Sequence, residues 1–150
     1  MGIMKLPFLH KLSSLVSAPT GQVAGREPAA AALRHLLAEL PELLLATVLD
    51  AVRGEVLASA APVRGYLPSA IAGPALAVVR QVQAGLAAQG VPPTEQLCEV
   101  VLTLGTQLHL LRLGAGGQQL LYLAVEARDT NLAIARQLAA EAADYLVEIP

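Results

Sequence analysis

Tryptophan is absent from this sequence, cysteine and phenylalanine occur once each, and only 15% of its 150 residues are charged. Each scarcity excludes something. A single thiol closes no internal disulfide, so an apolar core has to hold the fold, and the chain suits a reducing, cytoplasmic setting. Ten Lys+Arg stand against twelve Asp+Glu, for a net charge of −2. There is no cationic excess to displace counterions, and no nucleic-acid partner is expected. No His or Cys pair has ligand spacing, and no acid, base and nucleophile converge along the chain. No metal, no cofactor and no catalytic residue is therefore expected, and the sequence reads as a protein that is not an enzyme.

What is abundant is apolar. Hydrophobic residues make up 55% of the chain. Arg34, His35, Glu39 and Glu42 interrupt the most apolar region before it reaches the length of a membrane span, so none is expected. The surplus apolar surface needs cover, and a subunit interface is the economical place for it.

Three strand-length runs organise the chain: Leu97 to Leu104, Thr106 to Leu113 and Gln119 to Ala127. They are broken at Gly105 and at Gly114 to Gly117, breaks short enough to make an antiparallel meander. Cys98, Val100, Leu102 and Leu104 alternate with Leu97 and Val101, and Leu121, Leu123 and Val125 alternate with Leu120, Tyr122 and Ala124. A sheet apolar on both faces has to be covered on both. Cys98 is expected as a small core residue, and His109, between Gln107 and Leu111, as a satisfied or half-exposed histidine. The glycines before Gln119 do not form a phosphate cradle, since a strand follows them and no Lys-Ser or Lys-Thr does. Upstream, Leu43 to Asp50 and Glu55 to Ala60 flank a turn closed by Gly54, with Asp50 capping local amides.

The first helix is expected to start near Pro28 and to place Leu33, Leu36, Leu37 and Leu40 on one face, with His35 partly exposed beside them. The second lies within Leu67 to Gln89. Its inner stripe is Ile71, Ala75, Val78, Val79, Val82 and Leu86. The opposite side carries Gly73, Leu76, Ala77, Ala84, Ala87 and Ala88, with Arg80 its one charge, flanked by Gln81 and Gln83. Small residues facing outward let another backbone approach, so this side is expected to meet the same helix of a second subunit. The third helix starts at Asp129, Thr130 or Asn131 and is expected to bury Leu132, Ile134, Ala135, Leu138, Ala139, Ala142, Tyr145 and Leu146.

Residues 1–25 read as a tail before a domain of residues 26–150, because Pro7, Pro19, Gly21 and Gly25 punctuate them. His10-Lys11 interrupts any signal-peptide core, and Leu6 stands where a myristoylation motif needs Ser or Thr. Phe8, Leu12 and Leu15 recur at helical spacing near Lys5, His10 and Lys11. The tail is either a plain extension or a short amphipathic helix that docks on a partner or a membrane surface.

The resulting order is helix, strand, strand, helix, strand, strand, strand, helix, an α+β (α/β) class. In that order, and in Leu40-Pro41-Glu42, in Val48-Leu49-Asp50 through Gly54-Glu55-Val56-Leu57-Ala58, and in Thr130-Asn131-Leu132-Ala133-Ile134-Ala135-Arg136, the chain resembles the roadblock/dynein light chain family. The resemblance covers about Glu27 to Leu146. It implies a five-stranded antiparallel sheet of roadblock/longin-like (profilin-like) type, with the second helix on one face and the first and third on the other. It implies a homodimer, or a dimer with a roadblock paralogue, joined through the second helix and third strand. It also implies a non-catalytic regulator or adaptor of Ras-like small GTPases that stimulates GTP hydrolysis by reshaping the GTPase's own loops. Arg64, Arg80, Gln81 and Gln83 are the expected GTPase contacts. The alternative is a structural adaptor whose tail residues Phe8, Leu12 and Leu15 form the docking peptide.

Overall fold

The computed structural model describes residues 23–146. Its elements run β1 (Ala24–Gly25), α1 (Ala29–Glu39), β2 (Leu43–Asp50), β3 (Val56–Ala60), α2 (Pro68–Ala88), β4 (Glu99–Thr103), β5 (Gln107–Gly114), a 3-10 turn (Ala115–Gly117), β6 (Gln119–Glu126) and α3 (Leu132–Asp144). The sheet has six strands in the order β1-β3-β2-β6-β5-β4, every neighbouring pair antiparallel. This corrects the expected count of five. The extra strand comes from the last two residues of the stretch read as tail, Ala24 and Gly25, which pair with Ser59 and Ala58.

Side-chain alternation fixes two cores. Leu43, Ala46, Val48, Leu121, Leu123 and Val125 point to the face covered by α1 and α3. Leu44, Leu45, Leu49, Leu120, Tyr122 and Ala124 point to the face covered by α2. A bulge between Leu43 and Leu45 lets two successive leucines reach the same side. At the centre, β2 and β6 are buried over nearly their whole length.

The cover on the first face is a helix pair. Leu33 and Leu36 of α1 and Ala135, Ala139 and Ala142 of α3 are buried, and the alanines let the helices approach closely. The Asn131 side chain caps α3 by accepting from the Ala133 amide at 2.8 Å. His35 joins the pair from outside, its Nε2 3.0 Å from a Glu141 carboxylate oxygen and its ring 5.5 Å from that of Tyr145. Glu99, nearly buried on β4, takes the Arg136 guanidinium at 2.6 Å and lies 3.7 Å from that of Arg112, so α3 is tied to the edge strand.

Four side chains depart from expectation. Ile134 and Tyr145 are 54% and 44% exposed and Leu132 is also exposed, because α3 packs along Ala135, Leu138, Ala139 and Ala142 and these three lie off that line. Cys98 is exposed rather than core, since β4 begins at Glu99 on the sheet edge and the thiol precedes it in a loop.

At Gly25 the backbone has φ +133°, and an added Cβ would sit 2.3 Å from the Leu57 carbonyl oxygen. In helical Gly85 an added Cβ meets nothing within 4 Å. Gly25→Ala is therefore expected to cost about 1–3 kcal/mol and to speed exchange of the Arg26 amide, which bonds Leu57 at 2.9 Å. Gly85→Ala should instead add roughly 0.5–1 kcal/mol, both read from urea unfolding.

Candidate functional site

The long helix α2 starts as its sequence directs, with Pro68 in the first turn after the extended Leu67. At 21 residues it is about 30 Å long, and its length and composition would suit a membrane span. Here it lies on the sheet instead. Ala72, Ala75, Leu76 and Val79 are its buried residues, with Ile71 and Val78 packed beside them. Leu76 thus belongs to the inner face, which corrects its assignment to the outer one. It lies a little over one helical turn from Ala72 and next to Ala75, and it joins Leu45 and Leu49 of β2 and Tyr122 of β6 in one core. The other five residues of that set, Gly73, Ala77, Ala84, Ala87 and Ala88, are all exposed.

Beyond Val79 no residue of α2 is fully buried, and a groove of about 480 Å³ opens under the helix end. Gln83, Leu86 and Ala87 line it from the helix, Leu97 and Cys98 from the loop before β4, and Leu113 from β5. Past the groove lies β4, a strand with a partner on one side only. The Leu104 amide donates to Gln107 and the Cys98 carbonyl accepts from Leu113, each at 2.9 Å, so even-numbered backbone groups face β5. By alternation, the N–H and C=O groups of Glu99, Val101 and Thr103 face outward, free to pair. Leu102 and Leu104 on this edge are 37% and 51% exposed.

The four residues expected to contact a GTPase are not one cluster. Arg80 is exposed but already engaged, donating to the Ala51 and Val52 carbonyls at 3.1 and 3.3 Å and so clamping α2 to the β2–β3 turn. The same turn is held by Asp50, whose carboxylate accepts from the amides of Val52 at 2.8 Å and Arg53 at 2.9 Å. Those bonds, the one to Arg53 first, hold the Asp50 carboxyl below its usual range. Arg64 is exposed in the loop before α2, Gln81 is exposed on the helix, and Gln83 walls the groove. Phe8, Leu12 and Leu15 lie outside the described residues.

A polar chain that the sequence did not single out lies on the α2 side of the sheet. The Tyr122 hydroxyl meets His109 Nδ1, His109 Nε2 is 2.8 Å from the side-chain Oε1 of Gln107, and Gln107 Nε2 donates to the Tyr66 hydroxyl at 2.9 Å. One assignment satisfies every group: Tyr122 donates, and a neutral His109 accepts at Nδ1 and donates from Nε2. Burial lowers the His109 pKa and raises that of Tyr122 to about 12, which keeps both neutral. Only register could have exposed this network, since His109 pairs with Ala124 and so lies diagonal to Tyr122. Among the described residues no three His, Cys, Asp or Glu side chains gather as a metal site.

No protein-family model matches the sequence, and no curated protein matches it. The three-dimensional structure matches Myxococcus xanthus MglB with a TM-score of 0.67 at 15% identity, over 80% of this chain and 92% of that one. The fold is a roadblock fold. A Roadblock/LC7 domain from Streptomyces avermitilis matches with a TM-score of 0.59 at 19% identity, over 73% of this chain and 86% of that domain. An MglB with a tetrameric arrangement matches at 0.65 and 20%, over 82% and 90%. In this roadblock fold, the outer face of α2, the groove and the free edge of β4 are the surfaces left open on one side of the sheet.

The His109 network carries a pH signature. Because the folded-state pKa lies below the usual 6.5, the unfolded chain binds the extra proton first. The stabilisation is complete above pH 6.5 and is lost as the pH falls toward the folded-state value. Urea unfolding of the intact protein should show stability declining below pH 6.5, well above the range near 3.8 where Asp50 contributes. His109→Gln should flatten that decline.

Proposed function

We infer that this protein is a non-catalytic homodimeric regulator or adaptor, and that it binds a Ras-like small GTPase through the α2 side and stimulates GTP hydrolysis by reshaping the GTPase's loops. One observation carries the reading. Gly73, Ala77, Ala84, Ala87 and Ala88 leave α2 open to water, with Arg80 the one long side chain among them and its guanidinium bound to the Ala51 and Val52 carbonyls, beside a strand edge with free backbone groups. Between Glu55 and Glu95 the sequence has no acid and only two cations, Arg64 and Arg80, so little charge has to be desolvated when this side is covered. The shared fold with MglB supports the regulatory class, and the tetrameric arrangement described for one MglB supports self-association.

In this reading α2 meets α2 of a second copy, or of a roadblock paralogue, and β4 pairs with β4, which buries the outward amides of Glu99, Val101 and Thr103. The GTPase then contacts Arg64, Gln81 and Gln83 along the rim. Arg80 acts from behind, by holding the β2–β3 turn in place. The working unit is residues 26–150, with β1 as its seam to the tail, and the protein works in the cytoplasm, as its single free thiol favours.

The test has two arms. Sedimentation of the full chain should show a dimer, and Ala84→Arg should weaken it about a hundredfold, on the order of 3 kcal/mol, without unfolding the protein, because Ala84 is exposed. GTP turnover by a Ras-like GTPase should rise with the parent protein and return to its basal rate with Arg64→Ala. A monomeric parent, or turnover and binding both unchanged by it, would reject the reading.

A further inference from the structure

A second apolar groove, of about 330 Å³, lies at the opposite corner of the molecule, on the α1 side. Leu37, Ala38 and Leu40 at the end of α1, Pro41, Leu43 at the start of β2 and Pro62 after β3 line it. Arg34 is its one cation, and that guanidinium is already paired with Glu27. Glu39 and Glu42 flank Leu40-Pro41, and neither has an ion pair among the described residues. The groove is therefore an apolar slot with acids beside it.

The chain enters the fold at this corner. Ala24 pairs with Ser59 and Gly25 with Ala58, so Val23 comes abreast of Ala60, two residues before Pro62 of the groove wall. Val23 packs against the same core as Leu37, Leu40 and Leu43, which puts its side chain on the grooved face. The segment leading in carries complementary chemistry. Phe8, Leu12 and Leu15 recur at the spacing of one helical face. Both lysines of the protein, Lys5 and Lys11, lie among them, and no acid occurs before Glu27. Seven residues separate Leu15 from Val23, and the eight steps between them reach up to about 26 Å when extended, enough to turn back onto α1.

We propose that residues 8–15 of the same chain seat in this groove, with Phe8, Leu12 and Leu15 against Leu37, Ala38 and Pro41 over the buried Leu40 and Leu43, and with Lys5 and Lys11 facing Glu39 and Glu42. Intramolecular seating needs only modest intrinsic affinity, because the tether holds the segment at high effective concentration. The inference is independent of the α2 side and survives or fails separately from it.

A nitroxide on Ser14→Cys, in a Cys98→Ser background of the full chain, reads the contact by nuclear magnetic resonance. The methyl signals of Leu37, Leu40 and Leu43 should be lost while those of Leu104, on the far edge, persist. Ala38→Glu, at an exposed position on the groove wall, and Leu12→Ser should each restore the lost signals without unfolding the protein. In a mixture of isotope-labelled chains without nitroxide and unlabelled chains bearing it, the signals should survive. Loss in that mixture would mean a swap between copies and would overturn seating within one chain. Uniform broadening, or none at Leu37 and Leu43, would overturn the groove as the seat. Appearance of the effect only with anionic vesicles would reassign the segment to a membrane surface and overturn the proposal equally.

Discussion

The constraint from which the rest follows is a sheet whose central strands have no polar face. Along β2 and β6 the residues pointing to both sides are Leu, Val, Ala and Tyr, and the two buried hydroxyls among them are both used, that of Thr47 on the Ala58 carbonyl at 3.0 Å and that of Tyr122 on His109. Such strands are stable only under two layers of helix. On one side two helices are available and share the work. On the other there is one, and its buried residues stop at Val79. The open groove beside Leu86, the exposed leucines of β4 and the bare alanine line of α2 are the geometric residue of covering a six-stranded sheet with a single helix.

How much of this was legible depended on whether neighbours enforced the pattern. Central strands were readable because alternation within Leu120 to Val125 has one physical solution, burial on both faces. The same alternation misled at Cys98, where an apolar sequence runs to a sheet edge and nothing covers it. Helical periodicity placed Val79 correctly but put Leu76 outside, since a hundred-degree stripe drawn through Ile71, Ala75 and Val78 is too narrow for a helix lying flat on a sheet. In α3 the error had the opposite sign. Ile134 belongs to the apolar composition of the helix, yet the side that packs is Ala135, Ala139 and Ala142 with Leu138 beside them, and Ile134 lies off it. The strand β1 left no signal, because two residues ending in glycine carry neither alternation nor β-branched side chains.

The polar groups were the least readable part, for a reason of range. Arg80 finds its acceptors 28 and 29 residues away, Gln107 finds Tyr66 41 residues away, and Arg136 finds Glu99 37 residues away. No local rule anticipates such partners. What sequence does supply is their cost: a buried or half-buried polar group must be paired, so each implies a partner before the partner is known. The His109 chain meets that demand entirely with neutral donors and acceptors, which leaves it sensitive to one event, protonation of the imidazole.

Arg80 changes what recognition on the α2 side can consist of. Read from sequence it is the sole charge on an outward helix face and looks available to a partner. Folded, it is the bolt between the helix and the β2–β3 turn, and its two carbonyl acceptors are fixed backbone groups rather than an exchangeable side chain. A partner approaching α2 therefore meets small side chains, a groove of mixed lining and the unpaired amides of an edge strand, with Arg64 and the glutamines at the margin. Shape and backbone hydrogen bonding, rather than ion pairing, have to supply specificity there. Contacts of that kind lose little to salt, since few charges are brought together to be screened. Long-range charge steering then has little part in assembly on this side, and the fit between two surfaces decides which partner stays.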